Sequence, residues 1–378
     1  MNFDYSEEQQ LLADSVRRLL GKDYDFDTRR KIVASAEGWS ESLWAKLAEL
    51  GVLGFALPSE YGGFGGGAVD LMGAMEAMGE ALVVEPFLPT VGLAARLVAR
   101  GASDAQKQAL LPAIADGRLR MAFAYGEKGA RYNLARVESR AVRAGGGWRL
   151  DGEKCLVLGA PMAQKLIVSA RTAGEAADEQ GISLFVVDHA AQGLTLKSYR
   201  TLDEMRAADV VLKGVTVDAV ALLGAEGGAL PHIEEAVDFA TALLCIEAVG
   251  ALKQACDATL EYLKTRKQFG VPIGSFQALQ HRMVDMVVAT EQARSMACLA
   301  CTRADSASDA SERARAISAA KIRIADACRQ VSQEAIQLHG GMGMSEEMKV
   351  SHTFRRLTAI AQQFGDAEHH LARFARLA

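Results

Sequence analysis

The 378-residue sequence lacks the features that mark membrane, secreted or nucleic-acid-binding proteins. No window of about 18 or more residues is apolar without interruption, so no segment is expected to span a bilayer. The net charge is only −5, and a mixed balance of this kind does not favour a nucleic acid or an anionic membrane as partner. The first residues are acidic and have no cationic or apolar leader region. These absences predict a soluble, cytoplasmic protein.

Clustered metal ligands are scarce as well. Six cysteines are scattered along the chain, at 155, 245, 256, 298, 301 and 328. Cys298 and Cys301 have the spacing of a metal or redox motif, but no second cysteine pair or histidine lies near them. Their small neighbours indicate close helix packing instead. His369 and His370 have no third ligand nearby, so the sequence predicts no metal site.

The sequence does contain a clear change of pattern along its length. Residues 1–119 show apolar side chains at helical spacing, beginning at Ser6, which with the following acidic residues and Gln9 resembles an N-cap and capping box. Short β-rich runs separated by glycine and aspartate turns fill residues 120–222. Residues 223–378 return to long helical patterns. We therefore predict a mainly α protein with a β domain inserted between two helical domains.

Two motifs stand about seventy residues apart in the last third of the chain. The first, Arg266–Gly270, reads Arg-Lys-Gln-Phe-Gly and ends a long helical pattern. Its arginine and glutamine can present a charged fork and an amide to a phosphodiester, although an arginine at a helix C-terminus also complements the helix dipole. The second, Gln337–Gly343, reads Gln-Leu-His-Gly-Gly-Met-Gly, and its glycines permit close backbone approach to a ligand.

Together these motifs resemble the two flavin-contacting segments of the acyl-CoA dehydrogenase family. The resemblance implies FAD as the cofactor, with Arg266 and Gln268 on the pyrophosphate and Phe269 against the adenosine of a flavin bound to a neighbouring subunit. It assigns six residues to FAD binding: Arg266, Gln268, Phe269, Gln337, Gly340 and Gly341. It also implies an N-terminal helical domain, a middle β-barrel-like domain and a C-terminal four-helix bundle.

The resemblance weakens in the β domain. The family's usual Thr-Glu-Pro stretch is replaced here by Gly126-Glu-Lys, and its Lys-x-Trp-Ile-Thr or Ser by Lys154-Cys-Leu-Val-Leu. Leu156 thus stands in place of the tryptophan beside the flavin. Leu158 stands in place of a hydroxyl near flavin N5, and a leucine cannot donate a hydrogen bond. Glu127, Arg131, Tyr132 and Asn133, followed by Gly181–Phe185, resemble a subfamily that includes the small subunit of pimeloyl-CoA dehydrogenase. Its chains often pair with a different dehydrogenase subunit, and the heteromeric steroid acyl-CoA dehydrogenases are built on the same plan.

The implied reaction also requires a carboxylate that takes the proton from Cα of an acyl thioester. The family's usual position near the C-terminus holds Phe364, and the alternative position on the long helix holds Ala240. Asp366 is a weaker candidate because it is expected to cap the final helix.

One other carboxylate remains. Residues 239–252 are apolar nearly all round, and Glu247 is their only charge. A lone buried carboxylate is costly unless it is paired or functional. Glu247 is therefore the candidate catalytic base. The alternative is a structural ion pair with an arginine of a neighbouring helix, such as Arg282 or Arg294.

Three functions follow from the resemblance. The first is an FAD-dependent acyl-CoA dehydrogenase subunit that forms a 2,3-enoyl-CoA from acyl-CoA and passes electrons to an electron-transfer flavoprotein. It would act as a homo-oligomer or as a heteromer with another acyl-CoA dehydrogenase subunit. The second is a non-catalytic accessory subunit that lends FAD contacts to such a partner. The third is a flavin-dependent monooxygenase of related architecture.

Overall fold

The computed structural model describes residues 6–307 and 309–377. They fall into two compact units that alternate along the chain. The first, the helical unit, takes in the chain up to Lys31, Gly67–Val83, and the chain from Thr241 onward. The second, the sheet unit, comprises Ile32–Gly66 and Val84–Ala240.

Helices account for most of both ends of the chain. In chain order the α-helices are α1 (Glu7–Asp23), α2 (Phe26–Ala34), α3 (Glu41–Glu49), α4 (Met72–Ala81), α5 (Arg96–Gly101), α6 (Asp104–Ala115), α7 (Leu230–Thr265), α8 (Gln277–Ser306), α9 (Ala310–His339), α10 (Lys349–Gln362) and α11 (Ala367–Arg376). A π-helical segment, Leu88–Ala95, precedes α5. Among the described residues no helix combines the length and the apolar character needed to cross a membrane.

Most of the strands lie between α6 and α7, and a short hairpin lies between α7 and α8. They are β1 (Met121–Ala124), β2 (Arg140–Ala144), β3 (Gly147–Leu158), β4 (Lys165–Arg171), β5 (Ile182–Asp188), β6 (Leu194–Arg200), β7 (Arg206–Asp218), β8 (Leu222–Leu223), β9 (Lys267–Gln268) and β10 (Val271–Pro272). The large sheet has the order β6-β7-β3-β2-β4-β5-β8, with β1 parallel to β4. Trp148 and Phe185 meet edge to face in its core, with ring centroids 5.2 Å apart.

Local signals explain how the helical unit begins. Ser6 accepts a hydrogen bond from the Gln9 backbone, and the Gln9 side chain accepts one from the Ser6 backbone, so the predicted capping box is present. The buried side chains of α1 recur three to four residues apart, at Leu12, Ala13, Val16 and Leu20. Gly73 of α4 has no side chain where Ala13 lies against it, which allows α1 and α4 to pack closely.

Two glycines set the contact between α4 and α7. A Cβ atom at Gly79 would overlap the backbone carbonyl of Glu247, and one at Gly250 would overlap the carbonyl of Glu76. The two helices therefore pack backbone against backbone, each through a glycine of its own. This close approach draws both Glu76 and Glu247 into the interior, where they are 5% and 7% exposed.

A buried lysine closes the C-terminal end of α10. The Lys321 ammonium group, on α9, is fully buried and donates to the carbonyl oxygens of Ile360, Ala361 and Gly365 at 2.8–3.2 Å. The carbonyls of Ile360 and Ala361 lie in the last turn of α10, where the helix itself offers no donor, and that of Gly365 lies in the turn that follows. A positive charge at a helix C-terminus also complements the helix dipole. Lys321 thus fixes the turn that contains Phe364.

The predicted fold class is confirmed: a mainly helical chain carries a β-sheet region between helical regions. The sheet occupies residues 121–223, close to the β-rich run that the sequence shows. The two domain boundaries, after residues 119 and 222, remain predictions.

Candidate functional site

The first motif forms a hairpin directly after α7. The Arg266 carbonyl accepts from the Ile273 backbone at 2.8 Å, and β9 pairs with β10 to close the turn. Phe269 lies at the tip with φ +54°, is 90% exposed, and meets Phe276 edge to face at 6.2 Å. Apart from this contact, the Phe269 ring is open to solvent on a strained backbone, so burial within the described part of the chain does not account for an aromatic residue here. Arg266 and Gln268 are exposed beside it.

The second motif forms the turn at the end of α9. Gln337, Gly340 and Gly341 are exposed, and a Cβ added at either glycine would meet no atom within 4 Å. Gly340 has φ +58°, a conformation that favours glycine. The backbone here is open to close approach by a ligand, as the sequence predicts for these positions.

A ring contact joins the two motifs. His339 stacks on Tyr262, in the last turn of α7, with centroids 4.5 Å apart and an interplanar angle of 27°. The Nδ1 atom of His339 donates to the Ala335 carbonyl at 2.8 Å, and burial lowers the pKa of the imidazole, which keeps it neutral. The structure thus brings the ends of α7 and α9, and with them both motifs, to one place in the helical unit.

Glu247 is paired with an arginine that sequence reasoning missed. The Nε atom of Arg356, on α10, donates to Glu247 Oε1 at 2.7 Å, and both side chains are nearly buried. The predicted partners are wrong: Arg282 bonds to Glu334 at 2.6 Å, and Arg294 bonds to Glu76 at 3.0 Å. Nothing in the sequence distinguishes Arg356 from its neighbour Arg355, because the choice depends on which face of α10 meets α7.

Ala240 and Phe364 occupy the two positions where the resemblance implies a catalytic carboxylate. Ala240 is fully buried in α7. Phe364 follows α10 with φ +61° and is half-buried. Asp366 is the N-cap of α11 and accepts from the His369 backbone at 2.8 Å, as predicted.

A buried ion pair organises the part of the sheet unit where the resemblance weakens. Lys154 Nζ lies 2.6 Å from Glu127 Oε1 and 3.0 Å from Ser169 Oγ. The Glu127 carboxylate also accepts from the Ser139 side chain at 2.7 Å and from the backbones of Glu138 and Ser139. The pair ties the 126–133 segment to β3. A cavity of about 320 Å³ opens beside it.

The two charges of this pair respond differently to burial. Burial acts to raise the pKa of Glu127, but the Lys154 ammonium and the hydrogen bonds outweigh it and hold that pKa below its usual value. Burial lowers the pKa of Lys154 to about 8, against the opposing effect of Glu127. The pair is therefore ionised at neutral pH.

Leu156 lies in a β-bulge that turns its side chain outward. The pairing of β3 with β7 shifts register between Lys154 and Val157, and Leu156 has φ +52° with 56% of its surface exposed. Its backbone N–H donates to Asp209 Oδ1 at 3.2 Å, and the Tyr199 hydroxyl donates to the same oxygen at 3.0 Å. Burial and Asp209 raise the pKa of Tyr199 to about 12, which keeps it a donor. Sequence reasoning missed Asp209 and Tyr199, although an aspartate within the valine-rich run of β7 was a visible signal.

Comparison with known proteins covers nearly the whole chain. Family models match at residues 6–118 (acyl-CoA dehydrogenase, N-terminal domain), 122–215 (middle domain) and 230–378 (C-terminal domain). The acyl-CoA dehydrogenase FadE12 of Mycobacterium tuberculosis is 33% identical over 370 residues, 95% of this chain and 93% of that protein. The probable acyl-CoA dehydrogenase YngJ of Bacillus subtilis is 30% identical, covering 94% of this chain and 93% of its own length.

Solved structures are similar as well. A variant of the Tcur3481–Tcur3483 steroid ACAD matches with TM-score 0.88 and 30% identity, over 98% of this chain and 97% of that one. The ChsE4–ChsE5 complex of Mycobacterium tuberculosis matches with TM-score 0.89 and 26% identity, over 100% of this chain and 98% of the matched chain. The FAD complex of PigA matches with TM-score 0.91 and 26% identity, over 100% of this chain and 98% of the matched chain.

The buried pair generates a prediction for stability. Glu127→Gln leaves Lys154 buried without its counter-charge and should lower the free energy of unfolding by about 3 kcal/mol, measured by urea denaturation at pH 7. In the parent, the lowered Glu127 pKa stabilises the fold above the ordinary glutamate pKa, and this contribution is lost as the pH falls through the folded-state value. The free energy of unfolding of Glu127→Gln should therefore not show this part of the decrease at acid pH.

The matched control is Glu153→Gln. Glu153 lines the same cavity, but its contact with Lys128 is long, at 3.8 Å, and both side chains are exposed. Its loss should cost about 0.5 kcal/mol or less. Equal effects of the two substitutions would contradict a special role for the buried pair.

Proposed function

Because the chain belongs to the acyl-CoA dehydrogenase family, we propose that it is an FAD-dependent acyl-CoA dehydrogenase subunit that converts an acyl-CoA thioester into its 2,3-enoyl form. The observation that carries this proposal is the joint position of the two motifs, linked through Tyr262 and His339 and both open to a ligand. The predicted three-domain division, at residues 119 and 222, belongs to the same proposal.

The exposed residues suit an extended phosphate-containing cofactor. Arg266 offers planar donors for the pyrophosphate, and Gln268 offers an amide beside it. Phe269 offers an aromatic face for the adenosine, and Gln337 with the open backbone at Gly340–Gly341 offers further polar contact. FAD, when bound, supplies the acceptor for the hydride that leaves Cβ. On this proposal the Arg266 hairpin reaches the flavin of a neighbouring subunit.

We assign the proton-accepting role to Glu247. The Nε atom of Arg356 donates to Glu247 Oε1 and holds the carboxylate in one orientation, and a base that accepts the Cα proton has to be held in place in this way. The same contact also suits a purely structural ion pair, which is the competing role. The absence of a carboxylate at Phe364 and Ala240 favours the catalytic one.

The relatives indicate the class of substrate and partners. The similar structures include a steroid ACAD, the ChsE4–ChsE5 complex and an electron transferring flavoprotein of Acidaminococcus fermentans. We propose a lipid or steroid acyl-CoA as substrate, an electron-transfer flavoprotein as electron acceptor, and assembly with copies of itself or with another acyl-CoA dehydrogenase subunit. The cytoplasmic location that the sequence predicts is kept as part of this proposal.

A second function rests on specific residues. Leu156, Leu158 and Phe364 stand where the resemblance implies a tryptophan, a hydroxyl and a glutamate. A chain that lacks all three could serve as an accessory subunit, which lends the Arg266 hairpin and the Gln337 turn to a catalytic partner. In that case Glu247 is structural.

The catalytic assignment is tested by Glu247→Gln. The amide keeps the shape and can still accept from Arg356, so FAD content should be retained, while turnover of acyl-CoA should fall by about 100-fold or more because the base is lost. The measurement is the steady-state rate of electron-acceptor reduction in the flavin-loaded protein. Glu76→Gln is the matched control, because Glu76 is also a buried acid on a helix, paired with Arg294. Undiminished turnover in the Glu247 variant would leave only the structural role.

The cofactor assignment is tested by Arg266→Met. Loss of the charge-assisted contact to a pyrophosphate should weaken FAD binding by about tenfold or more, measured by titrating flavin-free protein with FAD. Lys264→Met removes a positive charge two residues earlier, from an exposed position in the last turn of α7, and should leave the affinity unchanged. Equal losses in both variants would point to general surface charge instead of a specific contact.

A further inference from the structure

Helix α8 carries a row of exposed apolar side chains along one face. Val284, Val287 and Val288 are 57%, 45% and 47% exposed, whereas the opposite face of the helix is buried and packs on α9. Valine is branched at Cβ and forms helices less readily than alanine or leucine, so three exposed valines do not serve the helix itself. Contiguous exposed apolar surface of this kind indicates an interaction surface.

The exposed face has the spacing of a coiled-coil contact. Six exposed residues alternate four and three positions apart, which places them in one line along the helix. We call this line the seam; its residues are Gln277, His281, Val284, Val288, Glu291 and Ser295. The apolar residues lie at the centre of the seam and the polar ones toward its two ends. Such a pattern is typical of a helix that meets another helix over several turns.

The seam is complementary to itself when a second copy runs antiparallel to it. In a two-fold pair centred level with position 286, apolar residues meet at the centre and polar residues meet at both ends. The pairs, each formed twice, are Val284 with Val288, His281 with Glu291, and Gln277 with Ser295. A parallel pair would instead set the Glu291 carboxylates of the two copies against each other, and like charges in contact oppose association.

The polar residues of the seam are available for such a contact. Within the described part of the chain, the His281 side chain makes no hydrogen bond or ion pair. The Glu291 carboxylate is 63% exposed and lies 3.8 Å from the Nε atom of Arg294, too far for a hydrogen bond. An imidazole N–H can donate to a carboxylate oxygen. Each end of an antiparallel pair would therefore gain a contact that the single chain lacks.

We propose that the seam on α8 binds a second copy of this chain, as an antiparallel two-fold pair. A two-fold contact uses the same patch on both copies, and the order of residues along the seam meets that requirement. The inference rests on the proposed function for the role of the Arg266 hairpin, and it selects a second copy from the two partners left open there. The hairpin leads through one short turn into α8, so the segment proposed to reach a neighbour's flavin is continuous with this surface.

Disulfide cross-linking tests the pairing directly. In the double variant Gln277→Cys/Ser295→Cys, each new thiol should face one on the second copy. Mild oxidation of the purified full chain should then give a covalent dimer on a non-reducing gel. The single variants should give none, because position 277 of one copy lies about 27 Å from position 277 of the other, and likewise for 295. The parent, which has six cysteines of its own, sets the background.

An exchange of charges tests whether the partner is the same chain. His281→Glu brings two carboxylates together at both ends of the pair and should weaken self-association about tenfold. Adding Glu291→Lys should restore it to within about twofold of the parent, because the new lysine of each copy meets the new glutamate of the other. Sedimentation velocity over a range of protein concentrations measures both effects. With a different chain as partner, the second substitution would not rescue the first.

Val284→Lys tests the apolar centre of the seam. A lysine buried against Val288 of the second copy should weaken self-association about 100-fold or more. The helix content from circular dichroism should stay that of the parent, because Val284 is exposed in the single chain. Val220→Lys is the matched control: Val220 is 79% exposed and lies in the sheet unit, so self-association should not change.

Four results would overturn the inference. They are a parent that sediments as a single chain or assembles only with a different subunit, a double cysteine variant that cross-links no more than its single variants, a His281→Glu defect that Glu291→Lys fails to rescue, and equal effects of Val220→Lys and Val284→Lys. None of them bears on FAD binding or turnover, which the Arg266 and Glu247 variants measure separately. A chain that pairs through the seam but binds no FAD would uphold the contact and defeat the proposed function.

Discussion

The close packing of α4 against α7 is the constraint on which the helical unit depends. Gly79 and Gly250 let the two backbones touch, with the carbonyls of Glu247 and Glu76 in the space that side chains would fill. This contact buries two carboxylates, and each is matched by an arginine from another helix: Arg294 for Glu76 and Arg356 for Glu247. An unpaired charge in such an interior would cost several kcal/mol, so the helix positions and the ion pairs constrain one another. The far end of α7 then presents the Arg266 hairpin.

The same constraint explains why Glu247 has two competing roles. The buried arginine gives the Glu247 carboxylate the fixed position that a base needs, and the same contact also holds α10 against α7 without any chemistry. Chemistry is favoured by the empty positions at Ala240 and Phe364, whereas packing alone accounts for the contact with Arg356. The Lys321 ammonium group fixes the turn around Phe364 by bonding to carbonyls on both sides of it.

Much of this architecture could be predicted from the sequence. The Ser6 capping box, the β-rich segment between helical regions and the turn at Asp366 follow from local rules that operate over a few residues. The family could also be recognised from the two motifs. The partner of Glu247 could not be predicted, because it depends on the rotation of α10 about its axis. The contacts of Asp209 could not be predicted either, because only strand register brings the Leu156 N–H and the Tyr199 hydroxyl to the same Asp209 oxygen.

The central claim is that this chain is an FAD-binding acyl-CoA dehydrogenase subunit whose Arg266 hairpin and Gln337 turn contact the flavin. The most direct measurement is the visible absorption spectrum and FAD content of the protein purified alone, and again after co-expression with a partner acyl-CoA dehydrogenase subunit. The account predicts a yellow protein with FAD bound by this chain, and a partial loss of that FAD in Arg266→Met. A protein that stays colourless alone, and that takes part in flavin binding only through Arg266 when its partner is present, would contradict it and favour the accessory role.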